Sequence, residues 1–341
     1  MSRILLATSI LLFACTANTD GDDSDTASET DTDVGLECET QNIATPIETF
    51  TSEVEDGSPF LYTKAPEARA LLLIFHGGGG DKEDNLHLRI DPVLIAREAH
   101  ARGYALASLD SAKHLEENPS NSQWSKIMNI NPEIGEVNPD VINALEMIQR
   151  LRGKSDLAAV PSDTPIVVMG FSNGGSMASR LAQFTHVSAS ATYISNSVEY
   201  LDGGSIRPPM VLVPGENDLD HQASESNAEL AAQIEANGGN VLLINNPAQP
   251  ISPGLFQRVP GIKCEVSREF YVALIEGGWL ASDGRLSRNP KADRSWSEVL
   301  PVEAQEFEDG ITDVLYEAYA EHAPSSDWNS EVFGYIDSYV E

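Results

Sequence analysis

The sequence predicts an α/β fold with a mainly parallel central sheet. Three observations predict it. Short apolar runs alternate with segments of helical periodicity between residues 68 and 244, the first run, up to Phe75, is continuously apolar beyond Arg69, and glycine clusters follow two of the runs closely. A continuous run suits a strand buried on both faces, as in a sheet covered by helices on either side.

Ala68 to Phe75 is the first such run and ends at His76 and four glycines. Residues 91–102 follow a helical pattern, with Pro92 at an early helical position and Gly103 at the end. Tyr104 to Leu109 reads as the next strand. Asn138-Pro139-Asp140 then opens a helix with Val141, Leu145, Ile148 and Leu151 on one stripe. Pro165 to Met169 is a strand, and a helix is expected from Ser176 to Phe184. Ala189 to Ile194, Met210 to Val213 and Val241 to Ile244 are further apolar runs, with a helix over Ser226 to Ala236. Residues 246–308 break the alternation. They are rich in Pro, Gly and Trp, hold one helical segment near Ser267 to Trp279, and read as an insertion before a last strand at Val314 to Ala320. Trp328 to Val340 reads as a final helix.

The chain has 341 residues, 41% of them hydrophobic, enough to bury a sizeable core without a disulfide scaffold. Its 53 acidic against 21 basic residues give a net charge of −32, a field that repels nucleic acid and opposes adsorption to anionic membranes through a basic patch. Residues 15–36 are Thr- and Ser-rich and strongly acidic, with too little apolar surface to offset the entropy of ordering; they read as a tether ahead of a domain at 37–341. The run Asp20-Gly-Asp22-Asp23-Ser-Asp25 fails as a calcium loop, because Asp25 stands where the glycine is required.

At the N-terminus, Arg3 precedes an apolar stretch from Ile4 to Ala14, too short to span a bilayer but of signal-peptide length. Leu12-Phe13-Ala14-Cys15 resembles the cleavage site of bacterial lipoproteins, with Phe13 larger than the residue usual there. The resemblance implies removal of residues 1–14, lipidation of Cys15 and export to the cell envelope; an ordinary signal peptide cut nearby is the alternative. An exported chain meets an oxidising compartment, so Cys38 and Cys264, left over once Cys15 carries lipid, can form a disulfide. Their separation in space is not readable from the sequence. No Cys/His spacing fits a metal site, and no cofactor is expected.

The chemistry concentrates in four places. Gly170-Phe171-Ser172-Asn173-Gly174 lies between a strand and a helix, the context in which G-x-S-x-G presents a nucleophilic serine on a strained turn. His76-Gly77-Gly78-Gly79-Gly80 follows the first strand, and glycine there lets backbone N–H groups approach a substrate oxygen. The donors expected are the amides of Gly77 or Gly78 and of Asn173, with His76 bracing the loop. Asp218 follows the strand at Met210 to Val213, with Glu216 and Asp220 as rivals. His221 and His322 are the histidines that follow it, and His322 is preferred because His221 would crowd its own partner.

Together these segments resemble the α/β-hydrolase superfamily over residues 68–341, in particular secreted esterases related to feruloyl esterases, polyhydroxybutyrate depolymerases and dienelactone-hydrolase-like enzymes. Pro214 stands where that family commonly has histidine. The resemblance implies a Ser172–His322–Asp218 triad, an acyl-enzyme, and a small-molecule or polymer-linked ester as substrate, with membrane contact only through a lipid anchor. Two other readings stand beside it: a cell-surface serine peptidase of the same fold, and a non-catalytic surface binding protein. Residues 246–308 are expected to shape the pocket. Phe256, Tyr271, Trp279 and Trp296 are candidates to line it, although aromatics at such spacing are more often core.

Overall fold

In the computed structural model the described residues are 37–47, 50–53, 59–115, 122–153, 159–195, 208–219 and 223–340. They belong to one compact unit that begins at Glu37. The expected signal sequence, the expected tether and Cys15 lie outside them.

Among the described residues eight strands form one sheet: β1 (Phe50–Glu53), β2 (Phe60–Thr63), β3 (Ala70–Phe75), β4 (Tyr104–Leu109), β5 (Ile166–Phe171), β6 (Ala189–Tyr193), β7 (Met210–Val213) and β8 (Val241–Leu243). Their order is β1-β2-β4-β3-β5-β6-β7-β8. β2 runs antiparallel to β1 and β4, and every other pairing is parallel. Among the described residues there are seven α-helices: α1 (Ile90–Ala101), α2 (Pro139–Leu151), α3 (Asn173–Leu181), α4 (Ala223–Ala236), α5 (Cys264–Glu276), α6 (Glu308–Ala318) and α7 (Asn329–Asp337). This strand order, with its strand–helix alternation, is the α/β-hydrolase fold.

The continuous apolar runs are explained by packing on both sides. Along β3, Leu72 and Ile74 face one core with Ile95 and Ala99 of α1 and Phe333 and Ile336 of α7. Leu71, Leu73 and Phe75 face the other, with Val141 and Met147 of α2 and Met177 and Leu181 of α3. α2 starts where the sequence says it should. The Asn138 side chain accepts the N–H groups of Asp140 and Val141 at 3.0 and 3.1 Å, and Pro139 follows in the first turn, where its missing N–H costs nothing.

The structure corrects three expectations. Val314 to Ala320 is not a strand, because residues 308–318 are helical. Ile311, Val314, Leu315 and Ala318 recur at helical spacing and are all buried. The described sheet therefore ends at β8, and residues 246–308 follow the last strand instead of preceding it. The helix expected at Ser176 to Phe184 begins at Asn173, immediately after the serine. β1 and β2, at the antiparallel edge, were not anticipated.

Residues 246–308 build a core of their own. Phe256, Phe270, Trp279 and Trp296 pack with Ile311 and Val314 of α6 and with Val93 and Leu94 of α1, and Tyr271 lies against the same cluster. Cys38 and Cys264 form a disulfide with their Cα atoms 5.9 Å apart, tying the segment before β1 to the start of α5 across 226 residues. No described helix is long and apolar enough to cross a membrane.

Candidate active site

β5, an interior strand, ends at Phe171 and delivers Ser172 just past the strand's C-terminal end, and α3 begins at the next residue. The turn between them holds Ser172 at φ 52°, ψ −120°, a region costly for any residue with a Cβ. Its glycines are there for lack of room. A Cβ on Gly170 would lie 2.1 Å from the Gly174 carbonyl oxygen, and one on Gly174 would lie 2.3 Å from the carbonyl oxygens of Phe75 and His76. The Ser172 N–H donates to the Tyr193 carbonyl at 2.9 Å, pinning the turn to β6.

His322 meets Ser172 from the loop between α6 and α7. Its Nε2 is 2.6 Å from Ser172 Oγ, and its Nδ1 is 3.0 Å from each oxygen of Asp218. The Asp218 side chain is fully buried, and with its oxygens as acceptors at Nδ1 the arrangement suits the tautomer in which Nδ1–H donates to Asp218 and Nε2 accepts from the serine hydroxyl. The acid and base loops are built against each other. The Asn217 N–H donates to the Ala320 carbonyl at 3.0 Å, and its side-chain amide donates to the Tyr319 carbonyl at 2.7 Å. A Cβ on Gly215 would be 2.6 Å from the Ala320 oxygen, so the approach of these loops requires glycine. Three non-glycine residues among those described have positive φ: Ser172, Ile194 and Ala320. One is the serine, one lines the cleft beside it, and one stands two residues before the histidine. Backbone strain is thus concentrated at this site.

The glycine loop after β3 runs past Ser172. A Cβ on Gly77 would be 3.7 Å from Ser172 Cβ, and one on Gly78 3.9 Å from Asn173 Cβ. Among the described residues the amide of Gly79 is taken by the Ser122 carbonyl at 2.8 Å and that of Gly80 by the Gly77 carbonyl at 3.2 Å. The amides of Gly77, Gly78 and Asn173 have no such acceptor.

His76 is fully buried and does not touch Ser172. Its Nδ1–H donates to the Gly77 carbonyl at 2.7 Å, and its Nε2 accepts the Ser111 N–H at 3.3 Å. Burial holds its pKa down at about 4, so it is a neutral brace, as its place before the glycines suggested. Trp124, which the sequence reading passed over, completes that brace. Its ring lies 4.5 Å from the His76 ring, its Nε1–H donates to the His76 carbonyl at 2.8 Å, and its backbone N–H donates to Asn173 Oδ1 at 2.7 Å. Asp140 was also missed; its two oxygens accept the N–H groups of Ala112 and Ser125 at 2.6 Å each, joining both flanking loops to the start of α2. A tryptophan alone in a Ser/Asn-rich stretch was the one available signal.

Glu216 turns away and accepts the Ala248 N–H at 2.9 Å. Asp220 and His221 lie outside the described residues. Ser172 and His322 open onto a cleft of about 670 Å³ walled by the glycine loop, Asp84, Arg89, Gln123, Lys126, Phe171, Asn173, Ile194 and Pro324 among others. No residue of 246–308 is in that wall, contrary to expectation; Phe256, Trp279 and Trp296 are buried in their own core instead. Among the described residues no group of His, Cys, Asp and Glu is arranged to hold a metal ion.

No protein-family model matches the sequence, and no curated protein matches it. Solved structures resemble it distantly. An esterase from the archaeon Pyrobaculum calidifontis is 14% identical over 69% of this chain and 87% of its own, with a TM-score of 0.42. A carboxylesterase from Mesorhizobium loti is 17% identical over 66% of this chain and 99% of its own, with a TM-score of 0.43. A puromycin-hydrolyzing peptidase from Mycobacterium tuberculosis is 15% identical over 59% of this chain and 35% of its own, with a TM-score of 0.42.

Proposed function

We propose that the protein is a serine hydrolase that cleaves carboxylic esters through an acyl-enzyme. The observation that carries this is the hydrogen-bond chain from Ser172 through His322 to Asp218, set on a strained strand-to-helix turn. As the Ser172 oxygen bonds to the ester carbonyl carbon, its proton passes to His322 Nε2, and the buried Asp218 carboxylate stabilises the imidazolium. The carbonyl oxygen, now anionic, is met by the amides of Asn173 and of Gly77 or Gly78, helped by the N-terminus of α3. His322 then gives its proton to the departing alkoxide. Water, deprotonated by the same imidazole, releases the acid and restores Ser172.

Such a mechanism has a kinetic signature. Mixing the protein with excess para-nitrophenyl butyrate should release a rapid burst of about one nitrophenolate per chain, followed by slower steady turnover as the acyl-enzyme hydrolyses. No release above the rate of the Ser172→Ala variant would defeat the proposal. Faster turnover of an aminoacyl para-nitroanilide than of the ester would make the protein a peptidase with the same machinery.

A further inference from the structure

Residues 246–308 are a large addition to the sheet, yet none of them walls the cleft. They do meet the protein close to the active site, on both sides of His322. On the near side, Glu321 is buried and its two oxygens are occupied: Asn289 Nδ2 donates to one at 2.6 Å and Lys291 Nζ to the other at 3.3 Å. The orientation of Asn289 is determined by its surroundings. Its Oδ1 accepts the N–H groups of Lys291 and Ala292 at 2.8 and 3.1 Å, which leaves the NH2 to face the carboxylate. The turn itself is anchored in the segment's core, because the fully buried Trp296 donates its Nε1–H to the Pro290 carbonyl at 3.0 Å.

On the far side, Arg258 pairs with Glu317 at 3.5 Å and with Asp327. Glu317 in turn accepts the Ser325 hydroxyl at 2.6 Å. Between these two holds the chain passes through Ala320, whose φ of 52° is a conformation that a residue with a Cβ keeps only when its surroundings impose it.

We propose that Asn289, seconded by Lys291, is a positioning residue for the general base: through Glu321 it fixes the backbone that aims His322 Nε2 at Ser172, so that residues 246–308 act on catalysis through the histidine and not on the substrate. The inference rests on His322 being the base. It follows that loosening this contact lowers kcat and leaves KM nearly unmoved, since the cleft wall is untouched. A shift of the reacting groups by about 1 Å costs on the order of a hundredfold.

The test is a reciprocal exchange, read with para-nitrophenyl butyrate. Asn289→Asp sets a second carboxylate against Glu321 and should lower kcat by about a hundredfold. Glu321→Gln added to it restores one donor and one acceptor across the same gap, and kcat should recover to within roughly tenfold of the parent. Thermal unfolding is followed for each variant; should Asn289→Asp not fold, Asn289→Ser, which shortens the contact without adding charge, replaces it and should also lower kcat at constant KM. A folded Asn289 variant with the parent's kcat, or one whose loss lies in KM, overturns the proposal, as does an exchange that folds and stays inactive. A parent that turns over no ester refutes the reading of His322 itself, a result distinct from all of these.

Discussion

Ser172→Ala should reduce ester turnover by about a millionfold while leaving the protein folded. The serine side chain is the only atom group that bonds to substrate, and its removal leaves the amides of the glycine loop to act on bound ester unaided. Asp218→Asn keeps the shape but donates where the carboxylate accepts, so the imidazole is held in the wrong tautomer; a loss of about ten-thousandfold is expected. Because the three groups act as one unit, Ser172→Ala combined with His322→Ala should be no slower than Ser172→Ala alone. Steady-state hydrolysis of para-nitrophenyl butyrate, with a melting curve for each variant, checks all three. A Ser172→Ala protein that keeps a tenth of the parent's rate would show that the chemistry is done elsewhere.

The largest effect on stability is expected at Arg258→Met. The guanidinium is the cation facing Asp91, Glu317 and Asp327, at 3.8 Å from the first and 3.5 Å from the second. Asp91 is 3% exposed and Glu317 1%, so neither carboxylate can turn to water when the cation is lost. Breaking a buried ion pair by removing one partner costs about 3–5 kcal/mol.

The loss should depend on pH, in a direction fixed by Glu317. Burial raises its carboxyl from an ordinary 4.5 to about 8, against the opposing pull of Arg258. The folded protein therefore keeps a proton that the unfolded chain releases. The stability this carboxyl lends is complete below about pH 4.5 and is lost as the pH rises through about 8. Without Arg258 the ionised carboxylate is worse accommodated still. The deficit of Arg258→Met should then be larger at about pH 9 than at about pH 6, and Glu317→Gln should flatten the parent's fall in stability across that range. Urea unfolding at the two pH values measures it. A deficit below about 1 kcal/mol, or one independent of pH, would mean the carboxylates are not held by this cation.

Much of this molecule is readable without coordinates, and the pattern of what is readable has a physical cause. β3 and β5 declare themselves because both their faces are buried, leaving runs with no polar residue. The turn at Ser172 is legible because part of its constraint is local: the Gly174 carbonyl leaves no room for a Cβ on Gly170, four residues earlier in the sequence. Asp218 and His322 could be named because each lies a few residues beyond an element with a recognisable pattern, and the structure brings their side chains to Ser172. α6 was misread as a strand because a short amphipathic segment with Val314, Leu315, Tyr316 and Ala318 satisfies either period over half a dozen residues. The edge strands β1 and β2 are four residues each, too short to give a pattern. Trp124, Asn217 and the Asn289–Glu321 contact were out of reach for a different reason. Their roles are made by partners tens to hundreds of residues away, and nothing in their own neighbourhoods marks them.

The most direct measurement is mass-spectrometric mapping of a fluorophosphonate adduct on the parent protein. One adduct per chain, on the peptide that carries Ser172 and absent from His322→Ala over the same labelling time, is the result expected of a serine activated by that histidine. A folded parent that stays unmodified, or an adduct on any other residue, would contradict it.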